Sequence, residues 1–199
     1  RFQAVMFVMC WSSVFVAVTS QISVLCLALS PVALAIAFWY SLAKRYTNYS
    51  QLFLGLAMAV APVGGWLAAG GRSGWEPWLL GVAIGMWVGG FDVLYACQDV
   101  EFDRNQGLRS IPVRYGVLKS LWISRGMHVV TVVMLTALAA VTSLGQIYLF
   151  GVGVVAALLV YEQSLVRAND LSRIKQAFDL NGYVGILYLA TTSAAIYVG

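Results

Sequence analysis

A chain of 199 residues with 61% hydrophobic and only 10% charged side chains falls well short of the ~25% charged content of soluble domains. With a mean hydropathy of +0.83 it reads as an integral membrane protein, one domain over 1–199 and too short for two large ones. The net charge of +4 would suit nucleic acid, but the basic residues sit in short loops between apolar runs, which describes topology rather than a nucleic-acid face.

In chain order, apolar segments fall at roughly 3–19, 23–42, 51–70, 78–98, 118–141, 146–162 and 180–198. Most approach the ~20 residues needed to cross ~30 Å of hydrocarbon. The expected fold class is all-α, a polytopic transmembrane helical bundle of seven spans. Charge tests that phase. One side carries Arg1, Lys44, Arg45, Arg104, Arg109, Arg114, Lys119, Arg125, Arg167, Arg173 and Lys175, and the other only Arg72. Such a bias puts the first side in the cytoplasm, here of a bacterial inner membrane. Three loops then share that face: 43–50, 99–117 and 163–179.

The three cysteines (Cys10, Cys26, Cys97) lie in apolar runs without CxxC spacing and read as small buried hydrophobes. The sequence opens on Arg1 with no signal-peptide pattern after it, so the chain is expected to be an internal fragment. Gly81, Gly85 and Gly89 step along the fourth helix as a small-residue face that lets a neighbour approach closely.

The densest chemistry follows that helix. Asp99, Glu101 and Asp103 fall within five positions, and Asp92 lies inside the preceding apolar run. On a continuous helix Asp92, Asp99 and Asp103 occupy one stripe within roughly 40°. Like charges one turn apart repel, so an offsetting cation is expected, Mg2+ being the natural candidate because it prefers carboxylate oxygens with a phosphate co-ligand. A solvated loop start would explain the three loop acids alone. Asp92 argues otherwise, since a carboxylate at depth costs about 2.5–3.5 kcal/mol and marks a polar cavity.

Three further patterns lie on the same face. Tyr40 and Lys44 share a helix face at i, i+4, an arrangement that interfacial anchoring with Arg45 alongside would also produce. In Gly107 to Gly116, Pro112 is expected to end any helix, and Arg109 stands closest to the acids. In the last loop, Leu171, Ile174, Ala177 and Phe178 suggest a short interfacial amphipathic helix. Asp179 and Asn181 after it either cap the last span or reach a cavity. His128 has no second His or Cys near it in sequence and reads as a buried hydrogen-bonded residue.

Asp92-x-x-Tyr95-Ala96-x-x-Asp99-x-x-x-Asp103, followed by Gly107-x-Arg109-Ser110 and Gly116, resembles the second aspartate-rich motif of UbiA-type intramembrane aromatic prenyltransferases. Tyr40-x-x-x-Lys44 resembles that family's YxxxK motif, and Pro31 to Pro62 with Phe178 to Asn181 are similar to its 4-hydroxybenzoate polyprenyltransferase branch.

The resemblance implies a nine-helix fold, of which the seven spans correspond to helices three to nine. It also implies a first motif of the NDxxDxxxD kind, absent from this chain, so the fragment is expected to be inactive. The implied reaction moves a polyprenyl group from its diphosphate to an aromatic acid in quinone biosynthesis. Asp99 and Asp103 would hold Mg2+, with Glu101 and Asn181 as further candidates. Lys44, Arg109 and Arg45 would bind the diphosphate, and Tyr40 and Tyr95 would face the allylic cation. Asp92 would stabilise that cation or orient the acceptor. The expected partners are polyprenyl diphosphate, an aromatic acid and the lipid bilayer, with the protein a monomer. Competing readings are a sister enzyme with another acceptor (a menaquinone precursor, haem or chlorophyllide), or a transporter with the three aspartates along a cation path. A relay of that sort needs acids continuing across the bilayer, and no other helix is expected to carry one at depth.

Overall fold

The computed structural model describes residues 2–198, so Arg1 lies outside the described residues. Nine α-helices are present among these: α1 (Phe2–Ile22), α2 (Val24–Tyr46), α3 (Ser50–Ala68), α4 (Glu76–Tyr95), α5 (Val100–Asn105), α6 (Ile111–Tyr115), α7 (Val117–Val141), α8 (Gly145–Leu165) and α9 (Ile174–Val198). A 3-10 turn, Ala96–Asp99, joins α4 to α5.

Six helices are long and apolar enough to cross a membrane, α4 being counted together with its extension to Asn105. The sequence reading of seven spans is corrected to that extent. The seventh, α9, exists and its 25 residues make about 38 Å of helix. Lys175, Asp179 and Asn181 near its start, and Thr191, Thr192 and Ser193 beyond, dilute its hydropathy. The separate amphipathic helix expected in the last loop is its first turn, because Ile174 and Ala177 are already buried in the bundle.

Local chemistry explains the helix ends. Ser23 caps α2, its hydroxyl accepting from the Cys26 N–H at 3.1 Å. Inside α2, Pro31 has no N–H for the Leu27 carbonyl, and the Ser30 hydroxyl donates to that carbonyl at 2.8 Å instead. Pro112, expected to stop a helix, opens one: it stands in the first turn of α6 behind the Ser110 cap, where a missing N–H costs nothing.

The spans pack as antiparallel hairpins, α1 on α2, α2 on α3, α3 on α4, then α4 on α7, α7 on α8 and α8 on α9. Helix α4 is the centre, most extensively packed against α3 and α7. Its glycines make that possible. Gly85 meets Gly55 backbone to backbone, Gly81 faces the Ala59 carbonyl, and Gly89 faces Gln51 and Met127. By contrast α1 and α2 turn Val5, Phe7, Trp11, Val24 and Val32 outward, an apolar surface suited to hydrocarbon. The cysteines form no disulfide; Cys97 is buried beneath the charged face as expected, whereas Cys26 is half-buried and Cys10 exposed, on the outward side of α1.

The three loops expected to share a face do meet: the Arg109 N–H donates to the Lys44 carbonyl at 2.7 Å, and Val117 packs against the cluster of Leu165, Val166 and Ile174.

A Cβ added at Gly55 collides with the Gly85 carbonyl oxygen, which as backbone cannot turn aside, whereas one added at Gly64 meets nothing within 4 Å. Gly55→Ala is therefore expected to destabilise the fold by about 1–3 kcal/mol, and Gly64→Ala to be neutral or to stabilise by up to ~1 kcal/mol. Reversible unfolding in mixed micelles compares them; equal midpoints would refute the close-approach account.

Candidate active site

The charged face is built around Asp103. Its side chain is 1% exposed, and the Lys44 ammonium donates to both carboxylate oxygens, at 3.1 and 3.2 Å. Helix ends assist both partners. Lys44 lies in the last turn of α2, where carbonyl ends favour a cation, and Asp103 lies in the first turn of α5, where free N–H groups favour an anion. The offset that the repelling acids require is thus supplied in part by the protein.

Arg109 fastens the same junction. Besides its backbone bond to Lys44, its guanidinium donates to the Tyr46 carbonyl at 2.9 Å. The Gln51 side-chain oxygen accepts from the Ile111 N–H at 3.3 Å, joining α3 to α6. Loop 47–49 and segment 96–116 therefore form one platform. Asp92 stands near enough to Tyr40, Lys44, Asp99 and Asp103 to feel their charge.

One expectation needs correcting. The run from Asp92 to Asp103 is not one continuous α-helix: the 3-10 turn at Ala96–Asp99 advances the chain by about 120° per residue and displaces the single stripe. Asp99 becomes the N-cap residue of α5, half-buried like Asp92. Among the described residues no set of three or more His, Cys, Asp or Glu is arranged to hold a metal, and Glu101 is exposed. What remains is two carboxylates, Asp99 and Asp103, flanking the α5 start. Mg2+ is commonly held by one or two carboxylates plus substrate phosphate and water, so this donor set fits a metal that arrives with its substrate and does not fit an all-protein cage.

The other candidates are placed as follows. Tyr95 is half-buried and packs on Phe178 with ring centres 5.1 Å apart; Phe91 meets the same ring edge-on at 5.6 Å. Arg45 is exposed. Asn181 is not at a helix end: it accepts from the Trp87 indole N–H at 2.7 Å and donates to the Ala177 carbonyl at 3.2 Å, tying α9 to α4. Asp179 is exposed. In the loop before α9, Ser172 donates to Asp170 through its N–H and its hydroxyl, which holds the Asp170 carboxyl below its usual range.

One functional-looking residue escaped the sequence reading. Glu162 in α8 is 0% exposed, beside Asn181 but without a well-formed hydrogen bond for either carboxylate oxygen. The expectation that no other helix carries an acid at depth is therefore wrong. A signal existed: buried Tyr148, Val152, Val155 and Leu159 step by four, three and four, and the next step lands on Glu162. Glu162 lies one turn from the Leu165 end of α8, so the buried acids stay in the charged-face half of the bundle and trace no path across it. His128, as expected, is buried and hydrogen-bonded, its Nδ1 3.1 Å from Gln163 Nε2.

Beneath the platform, toward the opposite face, lies a cavity of about 860 Å3 between α1, α2, α3 and α4. Phe15, Leu29, Ile36, Leu56, Val60 and Met86 line it, and none of the candidate polar residues does.

Lys44→Met would leave the Asp103 carboxylate buried and unpaired, at a cost of about 2–3 kcal/mol. Combined with Asp103→Leu, most of that loss should disappear, and a double-mutant cycle on unfolding free energy measures it. Simple additivity would mean that the pair is not coupled.

Comparison with known proteins adds an independent line. The model of the UbiA prenyltransferase family matches residues 1–189. A Vibrio campbellii protein named 4-hydroxybenzoate octaprenyltransferase is 36% identical over 163 residues, 82% of this chain and 57% of that one. A Marinobacter nauticus protein of the same name is 33% identical over 150 residues, 75% of this chain and 51% of that one. The chain thus spans little more than half the length of these curated relatives. Among solved structures, a UbiA homologue from Aeropyrum pernix K1 superposes with a TM-score of 0.85 at 32% identity, over 98% of this chain and 72% of that one. A structure described as digeranylgeranylglyceryl phosphate synthase, at 21% identity and TM-score 0.74 over 97% of this chain and 69% of that one, shares the fold.

Proposed function

Because the chain belongs to the UbiA prenyltransferase family, we propose that the protein containing it transfers a polyprenyl group from its diphosphate to an aromatic acid of the 4-hydroxybenzoate kind, releasing pyrophosphate. The observation that carries this reading is the pairing of buried Asp103 with half-buried Lys44, with Arg109 bonded to the same turn of backbone. It gathers anion-binding cations and metal-binding carboxylates at one end of a membrane bundle. The names of the relatives support the acceptor class, and quinone biosynthesis is the pathway that such an acceptor serves.

In this proposal Asp99 and Asp103 hold Mg2+ together with the diphosphate. Bound there, the metal would neutralise charge developing on the leaving group. Lys44 releases Asp103 in part and turns to the phosphate oxygens; Arg109, and Arg45 beside it, supply further positive charge. Tyr40 and the Tyr95 ring offer aromatic faces to the allylic cation. Asp92, deeper than the others, stabilises that cation or orients the acceptor. The apolar cavity between α1 and α4 accommodates the isoprenoid tail, which asks for no polar contact. The excess of basic residues on the charged face supports a cytoplasmic side for it, and the bacterial relatives support an inner membrane.

The test uses the full-length protein in proteoliposomes with a prenyl diphosphate and 4-hydroxybenzoate. Asp99→Ala and Asp103→Ala should each lower transfer by more than about 100-fold, and chelation of Mg2+ should abolish it reversibly. Full activity in both variants would end this assignment.

A further inference from the structure

We propose that the lipid-facing side of α7 carries a binding site for the phosphate of an anionic phospholipid, formed by Arg125, Trp122 and Lys119. This site is separate from the transferase reading above and stands or falls without it.

Helix α7 shows one outward stripe: Leu118, Trp122, Val129 and Val133 are 61, 64, 63 and 52% exposed. Arg125 follows Trp122 by three residues and precedes Val129 by four, so it belongs to that stripe. The opposite side of the helix is the packed one, where the Ser124 hydroxyl donates to the Gly90 carbonyl of α4 at 2.7 Å. Arg125 therefore faces away from the acids of the charged platform.

A guanidinium on a lipid-facing stripe is expensive unless something pairs with it. No carboxylate does: the one ion pair among the described residues is Lys44–Asp103, and Ser110 to Val141 contains no acid at all. What the guanidinium does have is the Trp122 indole, over which it lies at 4.8 Å from the ring centre. Stacking leaves the edge of the guanidinium free, and that edge carries the N–H pair that matches a phosphate.

Depth agrees. Arg125 lies about 12 Å of helix inside the α7 start, but helical side chains lean toward the N-terminus, here the charged face. Its head is thereby drawn to the level of Trp122, with exposed Lys119 one turn nearer the headgroups. Below it Val129 and Val133 present only hydrocarbon-compatible surface. A free anion would satisfy the cationic end and leave the apolar end unused; a phosphate carrying acyl chains uses both. A zwitterionic headgroup would bring its own cation against Lys119, so the site should favour anionic lipid.

Native mass spectrometry of the chain released from nanodiscs of equal phosphatidylglycerol and phosphatidylcholine tests this directly. Bound phosphatidylglycerol should exceed phosphatidylcholine about fivefold, falling toward one in Arg125→Gln and partway in Trp122→Leu. Arg125→Lys, which keeps the charge and loses the fork, should fall in between and serves if the glutamine variant does not fold. Equal retention of the two lipids by the wild-type chain, or an unchanged ratio in both Arg125 variants, would overturn the proposal. So would displacement of the lipid by millimolar inorganic phosphate or by a prenyl diphosphate, since either would assign the site to another phosphate.

Discussion

Asp103 is a carboxylate almost wholly removed from solvent, and Lys44 meets it across 59 positions of sequence. A buried anion left alone is among the most destabilising features a fold can contain, so this pair constrains everything near it. It fixes the end of α2 against the start of α5. The Arg109 and Gln51 bonds then lock the end of α2 and the start of α3 to segment 109–111 at the same junction. The platform is therefore set by charge pairing as well as by the apolar cluster beneath it, and under the proposed function its charged groups are in place before any ligand arrives.

That arrangement also explains why two carboxylates in an α5 turn are tolerated. Repulsion between Asp99 and Asp103 is relieved by the ammonium and by the free N–H groups at the helix start. A dianionic ligand with its metal would replace one form of neutralisation by another. In that exchange the net charge of the junction changes little, which is the condition for binding a highly charged group in a low-dielectric setting without rebuilding the fold.

Much of this was legible in the sequence, for physical reasons that differ residue by residue. Tyr40 and Lys44, and Asp99 and Asp103, are local spacings, and a helix converts local spacing into shared direction. The bias of basic residues is a summed property, so it phases the loops even where helix ends are misplaced. The Lys44–Asp103 contact was not legible, because nothing local says that a cation on one helix faces an anion on another. The 3-10 turn at Ala96–Asp99 was hidden because its residues carry no helix-breaking signal. Pro112 misled because proline disrupts a helix in its middle and favours it at its start. Glu162 went unseen because the apolar run was ended at its charge, although the periodicity of Val155 and Leu159 continues through it.

The interior of the bundle shows what holds helices together when the solvent is hydrocarbon. Lipid is as apolar as leucine, so burying leucine there gains little, and association depends on close backbone approach and polar bonds. Both concentrate on α4. Gly55 and Gly85 supply the approach. The Gln163 amide donates to Ser124 Oγ at 2.7 Å and lies 3.1 Å from His128 Nδ1, while the Ser124 hydroxyl donates to the Gly90 carbonyl. With Ser124 already donating, Gln163 must present its NH2 to both neighbours, so His128 Nδ1 accepts and the ring proton sits on Nε2. The same logic joins Trp87 to Asn181 across α4 and α9. Helices α1 and α2 are the spans with the smallest share of buried residues. The parts of the fold that must stay rigid under a charged ligand are thus the parts in which polar groups, otherwise costly in a membrane, have been given partners.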